Sequence, residues 1–191
     1  MELILIRHGE SEANAANGDK DRFFIGQLDC DLTEKGREQA MKLKNDPILA
    51  GADAFYCSDL KRTVETAGLL TDGRVIADKR LRERCIGLFE GEMIEKVRND
   101  PRYSAYFSDP AFMNFRHGFS ARAPQGENYC DVCDRVNSFL NDLDRSLKKV
   151  VIVSHFCAIR CIIKEVNCLS EEETLKLKIY NCQPIMVNFE K

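Results

Sequence analysis

The chain has 191 residues, 44% of them apolar and 31% charged, and carries a net charge of −3. That length and mix suit a single globular domain spanning 1–191, whose folding takes about 70% of the unfolded chain's surface out of water. They argue against a nucleic-acid partner, which a long basic stretch would signal, and against a membrane span, which needs roughly 18 consecutive apolar residues.

The first element in the chain is Leu3-Ile4-Leu5-Ile6, an apolar run that reads as a strand buried on both faces. Arg7 and His8 close it, and Gly9 lets the chain turn sharply. Arg7 and Glu10 also interrupt any signal-peptide core, so the expected location is the cytoplasm. Ligands of open α/β sheets gather at the carboxyl ends of strands, which makes Arg7-His8 a candidate site. From this stretch alone, an ordinary strand ending in polar residues is an equal reading. Residues 10–31 form a long polar connection that contains Asn14. It is either a functional loop beside a site or a solvated loop tucked down by Phe23, Phe24 and Ile25.

Thr33 caps a predicted helix over 33–45, with Ala40, Met41 and Leu43 facing inward and Pro47 ending it. A strand over 53–57 breaks at Ser58-Asp59 into a helix over 59–70, packed by Val64, Ala67, Leu69 and Leu70. Arg62 lies in the first turn of that helix, where a cation opposes the dipole, and a bound anion explains it better than helix stability does. A short strand over 74–77 leads to Leu81-Arg82-Glu83-Arg84, in which Glu83 alone reads as a surface ion pair.

Residues 92–125 are the least regular part. Ile94 and Val97 suggest one short helix, and Tyr103, Tyr106 and Phe107 another. Phe112, Phe115 and Phe119 follow, interleaved with Arg116, His117 and Arg122. This segment reads as a cap that sets substrate choice, although its aromatics are equally explained by packing the cap down. No strand end delivers His117, which argues against a catalytic role. Gly126-Glu127 opens an amphipathic helix to 147, striped by Tyr129, Val132, Cys133, Val136, Phe139, Leu140, Leu143 and Leu147. A strand over 149–154 ends on His155, a helix covers 157–166, Ser170-x-x-Glu173 is a capping box, and 184–189 alternates like an edge strand.

Strands alternating with helices imply a three-layer α/β/α fold with a mostly parallel central sheet and a small, irregular or helical cap. Two of the chain's three histidines end its two most apolar strands. If those strands are parallel neighbours, His8, His155, Arg7 and Arg62 converge on one edge, and imidazoles among guanidiniums make a pocket for a phosphate dianion. Nine cysteines are an odd count for a disulfide framework, so reduced thiols are expected. Cys130-x-x-Cys133 has no second pair at matching spacing, and Cys157 with Cys161 reads as a helix packing face near His155. Neither a metal nor another cofactor is expected.

The ordered set Arg7-His8-Gly9-Glu10, Asn14, Leu32-Thr33-Glu34-Lys35-Gly36 with Gln39-Ala40, Ser58-x-x-x-Arg62 with Thr66-Ala67, Leu81-x-Glu83, Glu90-Gly91, Gly126-Glu127 and Ser154-His155 resembles the histidine phosphatase (phosphoglycerate mutase-like) superfamily. The resemblance runs from Leu3 to about Ile163. It implies a phosphomonoesterase in which His8 becomes a phosphohistidine, Arg7, Arg62 and His155 stabilise the transferring phosphoryl, Asn14 donates to phosphate oxygens, and Glu83 is the proton donor. Phe156-Cys157 depart from the small residues, often Gly, that usually follow the second histidine. The Phe156 amide can still meet phosphate, but its ring narrows the approach. The alternatives are a phosphoglycerate mutase, for which the interval from Glu83 to His155 is short, and an inactive phosphate-binding or scaffold protein. The expected partner is a small phosphorylated substrate, and the expected assembly a monomer or homodimer.

Overall fold

The computed structural model describes residues 1–17, 22–110, 112, 115, 116 and 118–190. Its strands are β1 (Glu2–Arg7), β2 (Ala54–Cys57), β3 (Val75–Ala77), β4 (Lys149–Ser154) and β5 (Ile185–Asn188). They form one sheet in the order β3-β2-β4-β1-β5, parallel except for β5 on the edge. The helices are α1 (Glu12–Ala16), α2 (Glu34–Leu43), α3 (Lys61–Leu70), α4 (Ile94–Asn99), α5 (Ala105–Ser108), α6 (Tyr129–Asp142), α7 (Phe156–Asn167) and α8 (Glu171–Lys176).

The two apolar strands sit at the centre because both of their faces are covered. Leu3 and Leu5 of β1, with Val150 and Ile152 of β4, pack against α6 and α7. The alternate residues Ile4, Ile6, Val151 and Val153 pack against α2 and α3. This is the period-2 geometry of a strand, and all eight side chains are completely buried. β1 and β4 are adjacent, yet the chain leaves β1 for helices on one face and β4 for α7 on the other. A crevice opens between their carboxyl ends, where open α/β sheets bind ligands.

A third cluster, built on Phe24, Ile86, Phe89, Ile94, Val97, Phe115 and Ala123, holds the cap. The Phe89 ring meets Tyr103, Tyr106 and Phe115 at 5.0, 5.5 and 5.6 Å between centroids. Most of the cap's aromatics are therefore its own core.

Several expectations change. The 10–31 connection contains α1, capped reciprocally by Ser11 and Asn14. α3 begins at Lys61 rather than 59. α6 ends at Asp142 instead of 147, because the Asp144 carboxylate accepts the Ser146 N–H at 2.9 Å and turns the chain. Met41 and Val64 face solvent, 48% and 45% exposed, while Ala40 and Ala67 occupy the inward positions. His117 lies outside the described residues.

Candidate active site

Parallel register sets Arg7 beside Ser154, and the His8 N–H donates to the Ser154 carbonyl at 3.0 Å. The next residues, His8 and His155, thereby come side by side with ring centroids 5.1 Å apart. His8 Nε2 lies 3.3 Å from Arg62 Nε, and a guanidinium nitrogen can only donate. Nε2 must then accept, which leaves the proton on Nδ1, donated to the Gly9 carbonyl at 2.7 Å. His8 thus presents its lone pair at Nε2. Burial, then the charges of Arg62 and Arg7, hold its pKa well below the ordinary imidazole value, so it is neutral. Burial, then Arg62 and His8, act the same way on His155.

The residues after His8 explain much of the remaining motif. The Gly9 N–H donates to Thr66 Oγ1, which donates to the Arg62 carbonyl. The Glu10 N–H reaches Gln39 Oε1, and the Glu10 carboxylate accepts from Thr33 Oγ1 and Lys35 Nζ. A Cβ at Gly36 would come within 2.1 Å of the Glu10 carbonyl, so this approach of loop to helix requires glycine.

Arg62 is only 1% exposed, and its guanidinium is largely occupied. Nη1 donates to the Leu28 carbonyl at 2.7 Å and Nη2 to that of Gly26 at 3.1 Å. An anion is therefore not the whole reason for a cation in this turn, since the 10–31 connection supplies carbonyls to meet it. Arg7 donates through Nη1 to the Ile179 carbonyl, and its buried Nε has no partner among the described residues. Asn14 Oδ1 accepts the Ser11 N–H, leaving Nδ2 as a donor in the cleft. Phe156 opens α7, with its ring centroid 5.6 Å from the Arg7 guanidinium and 4.0 Å from that of Arg160. Both cations hold the ring in place as a wall of the site.

Glu83 is not the surface ion pair that its neighbours suggest. Arg82 pairs with Asp59 through two bonds of 2.6 Å, and Arg84 turns to the carbonyls of Phe115 and Arg116. The Glu83 carboxylate instead accepts the backbone N–H of Arg84 at 2.8 Å and that of Cys157, at the start of α7, at 3.1 Å. Its backbone carbonyl is held by Gln27 Nε2 and Arg135 Nη2. Beside it, burial and the Glu83 charge push the Cys157 thiol up to about 12, so Cys157 is a neutral thiol.

A cleft of about 370 Å³ is lined among others by Arg7, His8, Asn14, Arg62, Glu83 and Phe156, while His155 is fully buried behind His8 and is not part of its lining. Arg84, Arg116 and Tyr129 line it as well, and none of the three was singled out as a site residue by the sequence reading. Arg84 follows the proton-donor candidate directly, which was the one available signal for it. The buried side-chain nitrogens and oxygens without partners among the described residues are Arg7 Nε, Arg84 Nε and both ring nitrogens of His155. A buried unpaired polar group costs about 1–3 kcal/mol. All of them lie in and beside one cleft, which makes that cleft the candidate site for a polar ligand.

The model of the histidine phosphatase superfamily (branch 1) matches residues 3–191. A Cronobacter sakazakii protein named "Probable phosphoglycerate mutase GpmB" is 30% identical over 200 residues, covering all of this chain and 86% of the relative. The mycobacterial glucosyl-3-phosphoglycerate phosphatase structure superposes with a TM-score of 0.79 at 25% identity, covering 97% of this chain and 88% of that one. The alpha-ribazole phosphatase structure from Shigella flexneri shares the fold with a TM-score of 0.82 at 24% identity, covering 98% and 90%.

Proposed function

The chain belongs to the histidine phosphatase superfamily, and we propose that it is a phosphomonoesterase that hydrolyses a small phosphorylated metabolite through a phosphohistidine on His8. The observation that carries this reading is the state of His8. It is a neutral imidazole whose lone pair at Nε2 opens on a cleft bordered by guanidiniums. Nε2 attacks phosphorus as the bond to the leaving oxygen breaks, and the Arg62 Nε–H exchanges its imidazole acceptor for a phosphoryl oxygen. Arg7, Arg62, His155, Asn14 and the Phe156 N–H meet the charge that spreads over the equatorial oxygens. The Glu83 carboxylate takes the proton that the phosphomonoester monoanion brings in and passes it to the departing alkoxide. It then takes one from the water whose oxygen attacks phosphorus, and the P–N bond breaks to free His8 and inorganic phosphate.

The phosphatase named among the similar structures supports hydrolysis. The cysteines are free, which fits a reducing compartment, and the cytoplasm is the proposed location. No helix among the described residues is long and apolar enough to cross a membrane.

A second reading, phosphoglycerate mutase, is favoured by the name of the curated relative and by the extra arginines in the cleft. Incubation with 3-phosphoglycerate and 2,3-bisphosphoglycerate separates the two. Steady release of inorganic phosphate supports the phosphatase. Rapid formation of 2-phosphoglycerate without net phosphate release supports the mutase.

A further inference from the structure

Glu90 and Glu127 belong to the ordered motif of the sequence, yet neither lines the cleft, and neither has a part in the proposed chemistry. The three successive backbone N–H groups after Glu83 each meet a different carboxylate. That of Arg84 donates to Glu83 at 2.8 Å, that of Cys85 to Glu127 at 2.9 Å and that of Ile86 to Glu90 at 2.9 Å. Bonds to ionised acceptors are among the stronger ones, so the turn that carries Glu83 is firmly held. The Glu83 carbonyl is itself held by two residues distant in sequence. Arg135 Nη2 donates to it at 3.1 Å, and the same guanidinium is fixed by Glu127 and by the Arg80 carbonyl. Gln27 Nε2 donates to it at 2.8 Å. The other end of the Gln27 amide accepts from Arg82 Nη1 at 3.4 Å, which fixes the way the amide faces.

Gln27 is not part of the cleft lining, but its backbone belongs to the strap that holds Arg62. The carbonyls on either side of it, of Gly26 and Leu28, accept from the Arg62 guanidinium. The Gln27 N–H donates at 3.0 Å to Glu90 Oε1, the same atom that receives the Ile86 N–H. Gly26 has a φ of +50°, and a Cβ there would come within 2.4 Å of that oxygen, so only glycine lets the strap close on Glu90. Three residues thus hold the phosphoryl-binding cation through their backbone and the Glu83 turn through one side chain.

We propose that Gln27, latched by Glu90, is a positioning residue that sets the Glu83 carboxylate against the leaving oxygen of the phosphoryl group bound by Arg62. This rests on the reading of Glu83 as the proton carrier and adds the residue that places it. A catalytic group displaced by about 1 Å can lose on the order of 10²-fold in rate. Arg135 still holds the carbonyl when the Gln27 amide is lost, so the loss is a fraction of that. Arg62 is held through backbone carbonyls, so a change of the Gln27 side chain leaves its grip on phosphate intact.

The test compares phenyl phosphate with p-nitrophenyl phosphate, two substrates of similar shape whose leaving groups differ in their need for a proton. Rapid-quench measurement of His8 phosphorylation at saturating substrate is made on the wild type, Gln27→Met, Glu83→Gln and the double variant. Gln27→Met keeps the length of the side chain and removes its donor. It should slow phosphorylation by phenyl phosphate about fivefold or more, with KM and the rate on p-nitrophenyl phosphate within about twofold of wild type. Activity retained on p-nitrophenyl phosphate shows that the variant is folded. Added to Glu83→Gln, the Gln27 change should cost nothing further, because the group it places is already gone. Glu90→Leu should reproduce the selective loss, and Glu90→Gln, which keeps an accepting oxygen, should restore most of the rate. An unchanged rate of Gln27→Met on phenyl phosphate, an equal loss on both substrates, or a further loss in the double variant would overturn the positioning role. Glu83→Gln separates this role from the reading beneath it. An equal loss on both substrates in Glu83→Gln sinks the proton-carrier reading and the positioning role with it, whereas a selective loss there without one in Gln27→Met sinks the positioning role alone.

Discussion

Acidification tests the two buried imidazoles. His155 is fully excluded from solvent and His8 is 4% exposed. Burial first, and Arg62 second, hold both pKa values well below 6.5. In the unfolded chain each takes up a proton near the ordinary value of about 6.5. Below that pH the unfolded chain binds more protons than the folded one, so stability falls as pH falls, until the depressed folded-state pKa values are reached. A histidine kept neutral in the fold then loses about 1.4 kcal/mol per pH unit, which integrates to about 2 kcal/mol from pH 7 to pH 5, or about 4 kcal/mol for the pair. Carboxylates whose pKa values are lowered by hydrogen bonds, such as Asp53 and Asp59, add their own losses at lower pH. Comparison with His155→Gln cancels those losses, because the variant keeps the carboxylates and removes one imidazole. Urea unfolding of both proteins at pH 7 and pH 5 should show the stability difference moving by about 2 kcal/mol in the variant's favour at the lower pH. A difference that does not move with pH would mean that His155 accepts a proton in the folded state, and the neutral-imidazole argument would be refuted for it.

Further outcomes follow from the same geometry. Glu83→Gln should slow phosphorylation of His8 by an alkyl phosphate about 10²–10⁴-fold and by p-nitrophenyl phosphate much less, since nitrophenolate leaves without a proton. Rapid-quench burst kinetics read this step, and an equal loss for both substrates would make Glu83 a structural residue. Activity should survive dialysis against EDTA, because the guanidiniums supply the charge that a cation would otherwise bring. A loss reversed by adding back a divalent ion would contradict that expectation.

The sheet was largely legible because its strongest signals are local. The runs at 3–6 and 150–153 are apolar without interruption, and such runs occupy positions covered on both faces. His8, His155, Arg7 and Arg62 were legible as a group because each sits at the end of a strand or the start of a helix, where topology concentrates ligands. What escaped depends on contacts between segments distant in sequence. Arg84 and Arg116 meet only because residues 84 and 115–116 are joined through carbonyls in the fold. The carbonyls that occupy Arg62 come from Gly26 and Leu28, in a stretch without periodicity. The Ser11 and Asn14 cap of α1 was available as a pattern but was hidden in a small-residue loop. The end of α6 depends on one aspartate turning the chain before the apolar stripe runs out.

The central claim is that His8 carries the phosphoryl group between substrate and water. Labelled substrate mixed with the wild-type enzyme and quenched within the first turnover should leave a phosphoenzyme whose label is released by acid and retained in alkali. Peptide mapping should place that label on His8, and the His8→Ala protein, folded by circular dichroism, should acquire none. Label of the same acid-labile kind on the His8→Ala protein, or a wild-type label that withstands acid, would contradict the account and move the nucleophile to another residue.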